Sequence, residues 1–322
     1  MEDGRGAGTA PFTRLVAAAC MVVLALALTG CTIGTPTRAE LEEEEEVSAS
    51  LSSPTIAEDG VLTVAVDTSD APQAMTDSSG EFTGFDVDVA LAIADRLGLS
   101  VKIVDAADAS TGIDELGADI FIGLDSDDDT DGLETTDVYL QDATALFGNT
   151  TLSSTDVSLE DLESATIAVQ DGSASQDALS RAGIVAVQST YSNVNECFEA
   201  LAAGEVDYVA CDATSGAYLA RMYADISFVG TISSTSSFTI AMSEGNEELV
   251  EAITDALDDI EADGTLGALH TAWYGDLPET LTGEQIDGVT VEDEEGEEES
   301  SEEVSESDAE LMASDDINSL SE

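Results

Sequence analysis

Between residues 61 and 273 short apolar runs alternate with amphipathic ones, and the alternation restarts near residue 150. Strand-length apolar segments fall at 61–66, 101–104, 119–124 and 143–147. Between the first two lies a helical pattern at 86–97: Phe85, Val89, Ala92, Ile93 and Leu97 share one face, and Gly98 is placed to end the helix. After the restart, strands are expected at 166–169, 184–187, 206–211 and 237–242. Helices are expected at 159–162, 176–181, 195–203, 216–222, 247–260 and 266–273. Strands alternating with helices predict an α/β fold with mostly parallel sheets, and the restart predicts two such lobes.

The charge sets what such a fold can meet. The 322 residues carry 70 Asp and Glu against 7 Lys and Arg, a formal charge of −63. Nucleic acid is excluded as a partner, because phosphate binding needs clustered cations. A bare anionic membrane surface would repel the chain. With 43% hydrophobic residues it can still bury a sizeable core.

The ends differ from the middle. Arg5 and Arg14 precede an apolar run at 15–28 that is short for a membrane span, which reads as a secretory signal over residues 1–30. Leu28-Thr29-Gly30-Cys31 resembles the bacterial lipobox, which implies cleavage before Cys31 and a lipid on its thiol. Residues 31–55, with a Glu run at 42–46, are expected to form a flexible acidic tether. Residues 286–322 are expected to form a disordered acidic tail. The fold then occupies about 56–285. Cys197 and Cys211 are a candidate disulfide in an oxidising compartment, the alternative being two buried thiols. No metal site is expected, since the one His, His270, has no Cys or His partner nearby.

One segment resembles a known family. Gly80-Glu81-Phe82-Thr83-Gly84-Phe85-Asp86-Val87-Asp88-Val89-Ala90, followed by Ile93-Ala94-Asp95-Arg96-Leu97-Gly98, is similar to the signature of the bacterial extracellular solute-binding proteins, family 3. These are the polar-amino-acid binding components of ABC importers. Segments at 60–67, 162–179, 196–212 and 241–276 continue the resemblance in order and spacing. It implies a type II periplasmic-binding-protein-like clamshell with two hinge crossover strands, here near 143–147 and 238–242. Lobe 1 would be 56–146 plus 241–285, and lobe 2 would be 147–240. It also implies a monomer without cofactor or catalysis. That monomer would be secreted, anchored by Cys31 to the outer face of the cytoplasmic membrane, and would hand a small polar solute to ABC permease and ATPase subunits. The alternatives are a sensing module acting in trans on a membrane receptor and a dehydratase-like enzyme on the same fold. Against the enzyme, no nucleophile motif or Cys/His pair is found.

The resemblance also assigns a site. Asp212 falls at the position that takes a ligand ammonium, and Asp67 at that of its helper. Ser126 lies in the loop of hydroxyl donors, and Gly172 and Ser173 match a turn that offers N–H groups. The carboxylate-clamping Arg of the family is missing: its place falls at or beside Asp131 in the loop 125–131, which carries no base. The expected aromatic falls near Asp70, and Gln73 replaces an apolar residue. An amino acid, or a cationic amine solute held by Asp67, Asp70, Asp125, Asp131 and Asp212, is the expectation.

Overall fold

The computed structural model describes residues 49–291. The signal, Cys31 and most of the tether and tail therefore lie outside the described residues. Among the described residues no helix is long and apolar enough to cross a membrane.

The first sheet holds β1 (Val61–Val66), β4 (Ser100–Asp105), β5 (Ile120–Asp125), β6 (Leu133–Thr135), β7 (Leu140–Asp142) and β13 (Ser236–Ser243). Its order is β4-β1-β5-β13-β6, with β7 also on β13. β1 runs parallel to β4 and β5, whereas β13 is antiparallel to its neighbours. The second sheet, in the order β10-β9-β11-β8-β12, holds β8 (Thr144–Asn149), β9 (Thr166–Gln170), β10 (Val187–Tyr191), β11 (Tyr208–Asp212) and β12 (Ile226–Thr231). A small hairpin, β2 (Met75–Thr76) with β3 (Phe82–Thr83), leads into α1 (Phe85–Leu97). The remaining α-helices are α2 (Leu159–Leu162), α3 (Ala174–Arg181), α4 (Val194–Ala203), α5 (Ala213–Ala220), α6 (Glu247–Ala262) and α7 (Thr265–Tyr274), and a π-helical turn spans Thr111–Glu115.

Local chemistry accounts for these boundaries. Gly98 and Gly204 end α1 and α4 in the left-handed region, where their N–H groups cap the last carbonyls. Asn193 caps the start of α4 by accepting from Glu196 N at 3.0 Å. The buried carboxylate of Asp119 accepts from Ala57 N and Thr63 N, each at 2.7 Å, and ties the start of the fold to β1.

The domain edges shift from expectation. The described fold starts before residue 56: Leu51 is buried in the core, and Ser50 N donates to the Leu97 carbonyl at 3.0 Å. The chain passes between sheets at Ala143 and returns between β12 and β13, so residues 144–146 pair in the second sheet and 236–240 in the first. The C-terminal boundary also moves. Ile286 and Val289 are buried against the second sheet, and Gln285 bridges Thr231. Those two apolar residues interrupt the acidic composition, which is why the chain stays ordered there. The third strand of the second lobe lies at Val187–Tyr191, not 184–187. β12 was not anticipated from its mixed ISFVGT sequence.

One apolar cluster runs through both sheets, from Leu62 and Val64 through Phe85 and Tyr274 to Phe147 and Phe198. α5 lies close on β8 because Gly216 has no side chain; a Cβ there would overlap the Phe147 ring. α5 meets α7 through a stacked Tyr218–Trp273 pair at 5.8 Å, and Arg221 Nη1 donates to the Trp273 carbonyl at 3.1 Å. Gly84, at φ 147°, lets α1 start against the Gln73 backbone, where a Cβ would collide with the Gln73 carbonyl. Gly84→Ala is therefore expected to destabilise the chain by about 1–3 kcal/mol and to displace the 67–74 loop. Urea denaturation checks this; an unchanged midpoint would show that the loop moves aside at no cost.

Candidate functional site: an acidic cleft between the sheets

The C-terminal ends of β1 and β11 each deliver an Asp. After β1 the chain turns at Asp67, whose Oδ1 accepts from Ser69 N at 2.8 Å and Ser69 Oγ at 2.7 Å. That turn places Asp70, whose carbonyl accepts from Ala74 N at 2.9 Å. After β11, Asp212 is the N-cap residue of α5 with extended backbone, and its carboxylate makes no capping bond. It is left available on the cleft side. Asp67, Asp70 and Asp212 are thus brought together from the two lobes.

Electrostatics confirms the grouping. Burial first, and then the charges of Asp67 and Asp212, push the Asp70 carboxyl up to about 6. Burial likewise raises Asp212. Both residues keep more than a third of their surface open to water, so solvent screens part of their repulsion. Two further acids lie behind them. Burial and the charge of Asp212 raise Asp142 to about 7, against hydrogen bonds from Thr214 and Ala143 that lower it. Burial raises Asp86 to about 7, with a smaller push from Asp70, while the Tyr139 hydroxyl donating at 2.7 Å works the other way.

The buried acids are woven into the junction. Asp142 Oδ1 accepts from Thr214 N at 3.1 Å and from Ala143 N at 2.8 Å, and its Oδ2 accepts from Thr214 Oγ1. Thr214 Oγ1 in turn accepts from Gln73 Nε2 at 3.0 Å. Ser215 Oγ donates to the Ala71 carbonyl at 3.3 Å. Gln73 Oε1 and the Tyr274 hydroxyl are buried without a partner.

The other expected residues stand apart. Ser126 and Asp131 are exposed in the β5–β6 loop, where Ser126 N donates to the Ser237 carbonyl at 2.7 Å and Asp131 N to Asp129 Oδ1 at 3.0 Å. Gly172 N donates to Gln176 Oε1 at 3.0 Å, and Ser173 Oγ accepts from Gln176 N at 3.3 Å. The N–H groups of the turn are thus taken up locally, Gly172 N by Gln176 and Ser173 N by the Gln170 carbonyl at 3.3 Å, while the Ser173 hydroxyl caps α3. The candidate disulfide gives way to its alternative: Cys197 and Cys211 are free, buried thiols. The reason is local, since Cys197 Sγ turns back to the Asn193 carbonyl at 3.5 Å while Cys211 packs beneath Gly216. Among the described residues no group of His, Cys, Asp and Glu could hold a metal ion.

Sequence reading missed Asp142 and Thr214, and assigned Asp86 only to a helix start. An acid breaking the apolar run of a crossover segment was the available signal. The described cations are elsewhere. Arg96 is paired with Asp263, Lys102 acts on Asp119, Arg221 binds the Trp273 carbonyl, and Arg181 ends α3.

Comparison with known proteins bears on this site. Residues 62–122 match the model of the bacterial extracellular solute-binding proteins, family 3. Over that segment the chain resembles the family 3 solute-binding proteins. The L-cystine-binding protein TcyJ of Escherichia coli (strain K12) is 30% identical over 87 residues, covering 27% of this chain and 33% of that protein. The chain thus spans about a third of the length of the curated relative it matches. Among solved structures, the Ancestral Cationic Amino Acid Solute Binding Protein (AncCDT-1) is 25% identical at a TM-score of 0.57, covering 67% of this chain and 96% of that one. The unliganded, open L-cystine solute receptor of Neisseria gonorrhoeae has a TM-score of 0.58 at 20% identity, covering 69% and 95%. The fold of this chain is therefore the two-lobed α/β clamshell of type II periplasmic binding proteins.

Because folding raises the carboxyls of Asp70, Asp86 and Asp142, the native state binds more protons than the unfolded chain between about pH 4 and 7. Their stabilising effect is full below the unfolded value and is lost as pH rises through 6 to 7. The melting temperature is expected to climb as pH falls from 7.5 to 5, and Asp142→Asn should flatten the climb. A pH series of thermal melts reads both; an equal slope in the variant would remove Asp142 from the account.

Proposed function

We propose that this chain is the solute-capturing component of an ABC-type amino-acid importer, and that its solute binds through cationic amino groups. The observation that carries the reading is the convergence of Asp67 and Asp212 on Asp70 with no described cation opposite, which together with burial pushes the Asp70 carboxyl up. An ammonium group between those carboxylates converts mutual repulsion into charge-assisted hydrogen bonds. A ligand carboxylate in the same cleft would lack a cation and cost on the order of several kcal/mol. The likeness to a cationic amino acid binding protein supports the same solute class. The signal and lipobox at the N-terminus support export and anchoring through Cys31, with ABC permease and ATPase subunits as partners and capture by closure about the two crossings. The family supports binding without catalysis.

The test is a thermal-shift screen of the full chain against 1,4-diaminobutane, spermidine, L-arginine, L-lysine, L-cystine and L-glutamate. Binding at about 100 times Kd adds roughly 2.7 kcal/mol, a visible rise in melting temperature. A rise with the amines or basic amino acids, lost in Asp212→Ala, is expected. A rise with glutamate alone would overturn the cationic reading.

A further inference from the structure

Two hydrogen bonds join the 67–74 loop to the first turn of α5. Gln73 Nε2 donates to Thr214 Oγ1 at 3.0 Å, and Ser215 Oγ donates to the Ala71 carbonyl at 3.3 Å. Beside them sit two like charges, Asp70 on the loop and Asp212 at the head of α5. The bonds draw the lobes together at this point, while the carboxylates push them apart. Asp142 lies behind both, receiving Thr214 N and Thr214 Oγ1. Gln73 Oε1, buried in the same junction, is an acceptor without a donor.

The groups facing this point come from every element around it. The loop contributes Asp67 and Asp70, α5 contributes Asp212, and the β7 end contributes Asp142. α1 contributes Asp86, which Tyr139 holds from the segment before β7, and α7 contributes the unpartnered Tyr274 hydroxyl. Arg96, Lys102 and Arg221 are engaged elsewhere.

We infer that capture of an ammonium group at this junction is an exchange, in which the solute cation enters as a proton leaves the cluster of Asp70, Asp212 and Asp142. The inference rests on the cationic-solute reading of the cleft. The balance is simple: a carboxylic O–H gives its proton to water, and the resulting carboxylate accepts an N–H of the solute. Proton and solute compete for one gate, because either removes the repulsion between Asp70 and Asp212. The raised carboxyls place that competition near neutral pH, where the cluster is partly protonated.

The test is calorimetric titration of the full chain with 1,4-diaminobutane and, separately, L-arginine, in two buffers of different ionisation heat between pH 5 and 8. Release approaching one proton per bound probe is expected near pH 6, with apparent affinity falling about tenfold per pH unit below that. Asp70→Asn should lose most of the release and flatten the profile. A second readout needs no solute. Trp273 is the only tryptophan and stacks on Tyr218 of α5, so its fluorescence reports the junction. A transition between about pH 6 and 7, flattened in Asp70→Asn, is expected. Binding of either probe without proton release overturns the exchange and leaves capture standing. Absence of binding by both probes overturns capture, and the tryptophan titration then judges the gate alone: a flat profile overturns that as well.

Discussion

The rest of this molecule depends on the chain of contacts from Gln73 through Thr214 to Asp142, which joins its two lobes. It links a loop of the first lobe, the leading turn of α5 in the second, and the residue immediately before the chain crosses between sheets. Each end is fixed by something outside the chain of bonds. Gln73 is held because α1 starts against its backbone at Gly84, the one residue type that fits. Thr214 is held because α5 lies close on β8, where Gly216 leaves room for Phe147. The signature segment therefore does more than start a helix: its glycine sets the height of the loop that carries Asp70.

The charge pattern follows from the same geometry. A chain with 70 acids spreads most of them over solvated surface, where water and salt screen their repulsion. The cleft differs in that five acids converge with protein on most sides. Burial favours protonation of Asp70, Asp86, Asp142 and Asp212, and neighbouring carboxylates add to it at Asp70, Asp86 and Asp142. Hydrogen bonds from Tyr139 and Thr214 oppose the shift at Asp86 and Asp142 and leave both poised near neutrality. Asp70 has no such donor. It is the carboxylate with most to gain from a cation, which makes it the centre of the proposed capture site.

Much of the architecture was legible because it rests on local rules. The 3.6-residue stripe of α1, its terminating Gly98 and the apolar runs of β1, β5 and β9 follow directly from pattern. What escaped was non-local. Nothing near Asp142 announces that Thr214, 72 residues away, will donate to it. Ile286 and Val289 are two apolar residues in an acidic stretch, and only the groove beside β12 explains why they pack. The loop 125–131 is as dense in acids as the cleft, but its hydrogen bonds run within its own chain and to the neighbouring Ser237 carbonyl. Composition cannot distinguish acids that converge from acids that merely adjoin.

The continuous core adds a constraint on how such a clamshell can move. Tyr218 on α5 stacks on Trp273 of α7, Arg221 holds the Trp273 carbonyl, and Trp273 Nε1 donates to Asp88 at 2.7 Å. These contacts bind the far end of α5 to the first lobe by ring stacking and by hydrogen bonds of Arg221 and Asp88. The near end of α5 is bound by two hydrogen bonds set against a pair of like charges. A helix anchored this way has one end on which solute and protons act directly and one that senses them only through the Tyr218–Trp273 stack. Any response to a cation at Asp212 should therefore be a pivot about the Trp273 stack rather than a separation of the lobes, with the leverage concentrated on the short span from Asp212 to Ser215.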